Sequence, residues 1–165
     1  MGKGKGKGGQ GTPATVAATR AKVEFTLHPY EVAPEAESYG EAAADALGIP
    51  RDQIFKTLVA EVDGALTVAV VPVSATLDLK SLAAATGGKK AVLADPAAAE
   101  RSSGYVVGGI SPLGQRKRLP TVIDASVSGL ATVYVSAGRR GLQIELAPAD
   151  LIGLTDATVA EIARR

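Results

Sequence analysis

Val23, Phe25 and Leu27 alternate with Glu24, Thr26 and His28, the period-two signature of a half-buried strand, which puts the His28 imidazole on the polar, solvent side. Two longer β-rich runs, 54–62 and 65–71, flank Asp63-Gly64. That dipeptide accepts the two positive φ values of a type I′ turn, so the pattern predicts an antiparallel hairpin. Further strands are expected at 90–94, 121–123, 131–136 and 142–146.

Helices are marked mainly by their ends. Thr12-Pro13 supplies a cap and a first-turn proline for a helix to about residue 21. Ser38 and Glu41 have capping-box spacing, and Gly48 stands where a left-handed residue would close a helix over 39–47. Asp78 opens a helix halted by Gly87-Gly88, and Asp95-Pro96 opens another. Thr155 or Asp156 is expected to start a closing helix to Arg164. Strands outnumber helices and include a tight hairpin. The fold class expected is therefore α/β, a single compact domain over residues 12–165 with a curved, mixed, barrel-like sheet covered by helices. Residues 1–11 alternate glycine with Lys3, Lys5 and Lys7 and are expected to form a flexible tail, either brushing RNA or simply solubilising the chain.

Composition narrows the chemistry. Hydrophobic residues make up 46% of the chain but aromatics only 4%, so the core is to be built from small and β-branched side chains. The absence of cysteine removes disulfides, thiolate metal sites and a cysteine nucleophile, and a single histidine removes most Ser-His-Asp schemes. Neither a metal nor a cofactor is expected. Nor is there an apolar run of about 18 residues or a secretory h-region, so a cytoplasmic protein without a membrane partner is expected. A net charge of +1 gives no global field for nucleic acid, and any capture must use local groups such as Arg20 with Lys22, Lys89 with Lys90, or Arg139 with Arg140.

The stretch GYVVGGISPLGQRKRLP, residues 104–120, is a shaped backbone. Glycine permits φ > 0 and close approach, and proline fixes the exit path, so Gly108, Gly109, Ile110, Ser111 and Pro112 are placed to aim bare N–H groups at an oxygen; an ordinary turn is the alternative. Arg116, Lys117 and Arg118 either hold phosphates or solvate the loop. Lys56 is the second unusual position, a lysine within the apolar run Ile54 to Val59. By alternation it shares a face with Ile54 and Leu58; a lysine at a sheet edge reaching solvent is the alternative. Together, the Lys56 charge and the Gly108 N–H would act on a carbonyl that becomes an oxyanion. The attacking atom would be water or a group of the substrate itself.

FKTL at Phe55 to Leu58, LADP at Leu93 to Pro96, the glycine-rich run and YVSAGRRGLQIEL at Tyr134 to Leu146 occur in an order that resembles the YbaK/EbsC family, free-standing relatives of the prolyl-tRNA synthetase editing domain. The resemblance covers residues 16–165 and is nearest the Cys-tRNA(Pro) deacylase branch, which hydrolyses cysteine wrongly esterified to tRNA. It implies Lys56 at the aminoacyl ester and the Gly108 amide at the scissile carbonyl, with the substrate's own thiol attacking to release a cyclic thioester. It further implies a pocket lined by Tyr30 and Tyr39, with Thr57 following the lysine and Ser136 in a VSGG-like turn. The implied partners are aminoacyl-tRNA, specifically tRNA(Pro), and prolyl-tRNA synthetase, with no role for DNA. Two positions depart from the family pattern. Gln143 stands where GLDIEL has a carboxylate, and Ala137 replaces a glycine of the VSGG turn. A neutral amide cannot neutralise an α-ammonium or act as a base. Two alternatives therefore accompany the Cys-tRNA(Pro) reading: a deacylase for another small residue such as Ala-tRNA(Pro), and a non-catalytic module binding tRNA or a synthetase.

Overall fold

The computed structural model describes residues 11–32 and 38–165. Apart from Gly11, the expected tail lies outside them. The chain begins with α1 (Pro13–Arg20), where Thr12 and Thr15 exchange side-chain to main-chain hydrogen bonds, and continues into β1 (Phe25–Pro29). Then comes α2 (Tyr39–Leu47), capped by Ser38 and closed by Gly48 at φ 68°. The hairpin β2 (Phe55–Val62) and β3 (Ala65–Pro72) turns at Asp63 and Gly64, whose φ values are 50° and 85°, as a type I′ turn requires. Next come β4 (Thr76–Leu77), α3 (Leu79–Ala85) capped by Asp78, β5 (Ala91–Leu93) and α4 (Pro96–Ser103). Residues 104–120 then run without a helix or strand to β6 (Thr121–Asp124) and a 3-10 helix, Ala125–Gly129. The chain ends with β7 (Val133–Arg139), β8 (Leu142–Leu146), α5 (Pro148–Thr155), β9 (Thr158–Ala160) and β10 (Ala163–Arg164).

The expected closing helix is a correction. The helix is α5, which starts earlier on Pro148, and Asp156 ends it in the left-handed region at φ 54°. Beyond Asp156 the chain pairs as strand: β9 runs parallel to β6, and β10 antiparallel to β4.

The sheets are mixed. One has the order β5-β2-β3-β6-β9, with antiparallel pairing around β2 and parallel pairing through β6; another is β1-β8-β7, wholly antiparallel. An isolated bridge from Ile54 to Tyr134 links the two. The pairings among the described residues leave edge strands and close no barrel.

Alternation along β3 divides the interior. Val68 and Val70 face the core formed with the three-stranded sheet, α1 and α5, while Ala69 and Val71 face a second core with Leu82 and Ile162. A sheet buried on both faces needs apolar residues at every position, which is why this strand reads as a continuous apolar run. A third cluster, of Ala43, Ala44, Ile54, Val73 and Tyr134, seats α2 at the start of β2. Lys56 lies on β2 between Ile54 of this cluster and Leu58, which packs against the second core.

Candidate active site

At the start of β2 the apolar packing gives way to a cavity of about 300 Å³ lined by Lys56, Thr57, Gly108, Ile110, Ser136 and Gln143, with Tyr30, Tyr39 and Leu93 at its sides. It thus gathers residues from β2, α2, β7, β8 and the glycine-rich loop. Among the described residues no carboxylate pairs with the Lys56 ammonium. Among the described residues the lining contains no histidine, cysteine or carboxylate, so none of these supplies a general base there.

Two polar atoms in this wall are buried without a hydrogen-bond partner: Thr57 Oγ1 and Gln143 Oε1. Gln143 is only 5% exposed and pairs across β8 with His28 on one side and Ser136 on the other. An unpartnered buried acceptor costs about 1–3 kcal/mol, so it belongs to a site that a ligand completes more readily than to a structural core. The Ser136 hydroxyl accepts the Gly138 N–H at 3.2 Å within the β7 irregularity. Gly138 takes φ 107° there, whereas Ala137 does not have positive φ and is fully buried, so alanine is accommodated in that turn without strain.

The glycine-rich loop is stitched to α4. The N–H groups of Arg116 and Lys117 donate to the carbonyls of Ser103 and Ser102, and the Tyr105 hydroxyl donates to Leu113 O at 2.6 Å. Burial pushes the Tyr105 phenol far above its ordinary value and keeps it a donor. Gly108 has φ 95°, and a Cβ there would lie 2.5 Å from Arg140 Nε and 3.0 Å from the Tyr39 ring. Only glycine fits. Among the described residues, its N–H donates to no protein acceptor.

Other candidates lie elsewhere. Gly109 is buried against the backbone of Arg139 and Arg140, and its N–H is taken by Val106 O. Ser111 is fully buried, with its hydroxyl accepting the Leu113 N–H, and does not line the cavity. Pro112 faces a separate cleft with Lys117 and Arg118. The segment expected to offer N–H donors therefore reaches the cavity wall only at Gly108 and Ile110; Ser111 bonds within the loop, and Pro112 has no N–H to give. Arg116, Lys117 and Arg118 are exposed and outside the cavity wall.

His28 is not a free surface imidazole. It hydrogen-bonds Glu145 at 2.8 Å and lies 5.1 Å from the Tyr134 ring centroid, while Thr132 donates to the other Glu145 oxygen at 2.6 Å. Burial pushes the Glu145 carboxyl up, but bonds from Thr132, His28 and Tyr134 outweigh it and hold the group below its ordinary range. This network braces the sheet beside Gln143 and Ser136. Arg140, marked in the sequence only as half of a basic pair, has a larger part in the site than that signal suggests. It donates to Val107 O and covers the Tyr39 ring at 4.7 Å.

The model of the aminoacyl-tRNA editing domain matches residues 33–154. A protein of Enterococcus faecalis provisionally named Cys-tRNA(Pro)/Cys-tRNA(Cys) deacylase EbsC is 44% identical over 125 residues, spanning 74% of this chain and 75% of that protein. A solved structure provisionally described as a trans-editing enzyme for prolyl tRNA synthetase has a TM-score of 0.83 at 24% identity, covering 97% of this chain and 100% of the other. A second, of a protein described as hypothetical, gives 0.82 at 25% identity over 93% and 100% of the two chains. A family match over more than half of the sequence, carried by a relative of this identity and by the shared fold, shows that the chain belongs to the aminoacyl-tRNA editing domain family of YbaK/EbsC-type proteins.

Proposed function

We propose that this protein is a trans-editing deacylase that releases cysteine from mischarged Cys-tRNA(Pro). The observation that supports the reading is that Lys56 and Gly108 line one cavity, with the Gly108 N–H donating to no acceptor and the wall holding no histidine, cysteine or carboxylate among the described residues. Such a site is suited to stabilising charge on an ester oxygen, and it leaves the nucleophile to the substrate. The Lys56 ammonium and the Gly108 amide hold the ester carbonyl as it becomes an oxyanion. The cysteinyl sulfur, as thiolate, attacks the carbonyl carbon; the bond to the ribose oxygen breaks, that oxygen takes a proton, and a cyclic thioester leaves. The apolar lining of Ile54, Phe55 and Leu58 limits the room for side chains. Thr57 Oγ1 and Gln143 Oε1 are acceptors for the N–H groups of the substrate amine. The acceptor stem would rest on the exposed Arg116, Lys117 and Arg118, and with so little net charge the protein would rely on prolyl-tRNA synthetase to hold tRNA firmly.

Gln143 motivates a second reading, release of alanine from Ala-tRNA(Pro), because a neutral amide reads the amine by hydrogen bonding alone. Single-turnover deacylation of Cys-, Ala- and Pro-tRNA(Pro) separates the two. The first reading predicts that cysteine is lost at least about a hundredfold faster than alanine, and that Lys56→Ala removes about a hundredfold or more of the rate in a folded protein. Equal release of alanine would refute thiol assistance. Salt-dependent tRNA binding with every ester intact would leave a non-catalytic binding module.

A further inference from the structure

Arg140 stands on the turn between β7 and β8, far in sequence from the glycine-rich loop, yet its guanidinium grips that loop. Nε and Nη2 both donate to Val107 O, at 3.0 and 2.6 Å. The same guanidinium lies over the Tyr39 ring, which walls the cavity. On the opposite side of Val107, its N–H donates to Glu100 Oε2 at 2.8 Å, and the Gly109 N–H closes onto Val106 O at 2.9 Å.

Val107 O and the Gly108 N–H belong to one peptide unit. No cis bond occurs among the described residues, so the two groups point in opposite directions across a rigid plane. Fixing the carbonyl fixes the amide. With φ at 95°, Gly108 has a range of backbone states that other residues lack, and without restraint this peptide could flip. A charge-assisted donor pair on the carbonyl also draws electron density from the amide nitrogen and makes its N–H the stronger donor.

We infer that Arg140 is a positioning residue that clamps the Val107–Gly108 peptide and thereby aims and polarises the Gly108 N–H toward the cavity. Its catalytic consequence rests on the deacylase reading above; the clamp itself does not. Tyr39 holds the guanidinium in place by a cation–π contact, and Glu100 stops the segment from rotating about Val107.

Val-Gly occurs once in the sequence, at 107–108, so carbonyl-13C valine with 15N glycine isolates the Gly108 amide as one resonance. In Arg140→Ala that resonance is expected to move, and the single-turnover rate at saturating enzyme to fall about 10- to 100-fold with half-saturation changed less than about threefold. Arg140→Lys should recover part of the rate, and added guanidinium should restore part of it to Arg140→Ala. An exposed arginine serving only to hold tRNA phosphate would give the reverse, an unmoved resonance with the loss confined to half-saturation, and that result overturns the inference. Should the resonance move while the wild-type protein cleaves none of the aminoacyl-tRNAs, the clamp stands and the deacylase reading falls.

Discussion

The carboxylate of Asp124 accepts the main-chain N–H of Ile162 at 2.9 Å, tying the end of β6 to the last turn of the chain. The same oxygen accepts from Ala163 N, and the second oxygen takes the N–H and hydroxyl of Ser126. One 6%-exposed carboxylate thus anchors the segment leading into β10. Asp124→Asn keeps one acceptor and loses charge assistance, so unfolding by denaturant should show a loss of about 1–3 kcal/mol at neutral pH.

The pH dependence has its origin in the same bonds. Burial raises the Asp124 carboxyl, but the Ser126, Ile162 and Ala163 donors outweigh it and the net value lies below 3.8. A depressed folded value means that the unfolded chain binds the proton first. The stabilisation is therefore fully present above 3.8 and is lost as pH falls through the lower folded value. The difference in stability between wild type and Asp124→Asn should stay constant from about pH 5 to 8 and shrink in acid. A difference that grows on acidification would contradict this assignment.

Gly108→Ala is expected to abolish deacylation. A methyl at φ 95° meets both Arg140 and the Tyr39 ring, and the backbone strain costs about 1–3 kcal/mol besides. Gly48→Ala is the matched control. Its φ of 68° carries a similar backbone penalty of about 1 kcal/mol, but no atom lies within 4 Å of the new methyl and the residue caps α2 away from the cavity wall. Thermal unfolding and single-turnover rates on both variants separate strain from site chemistry. Comparable activity in the two would sink the role of Gly108.

Tyr105→Phe tests the stitching of the loop. The ring is buried in the first core, so the change removes only the bond to Leu113 O and leaves that carbonyl without this donor. A loss of about 1–2 kcal/mol is expected by chemical denaturation, with a fall in deacylation of a few fold as the Gly108 segment loosens. Unaltered stability would mean that the loop is held by its α4 contacts alone.

The elements visible in the sequence are those whose ends are specified locally. Asp63-Gly64, Thr12-Pro13 and Gly48 each encode a backbone state in one or two residues. The helix at 148–155 is hidden because its cap, Ala147, has no side-chain acceptor, and because Asp156 works as a left-handed terminator, a job that its sequence does not distinguish from an N-cap. Lys56 and Gly108 stand out because a charge in an apolar strand and a glycine pair in a loop are locally costly. Arg140 does not, since its meaning depends on a turn and a loop meeting through the tertiary fold. Nor can alternation reveal that Ser111 bonds back to Leu113 instead of facing the cavity.

Gln143 offers the sharpest separation of folding from function. Its Oε1 is buried without a partner, so replacing the side chain by leucine removes an uncompensated desolvation cost and leaves a similar volume. Gln143→Leu should unfold at the same temperature as wild type or higher, by up to about 1 kcal/mol of added stability. On the proposed reading deacylation should fall at least about tenfold, because the substrate amine would lose one acceptor and be left partly unsatisfied. Calorimetry and single-turnover assays on the same preparation measure both quantities. A core residue would behave in the opposite way, losing stability with activity retained, and that pattern would remove Gln143 from the binding site.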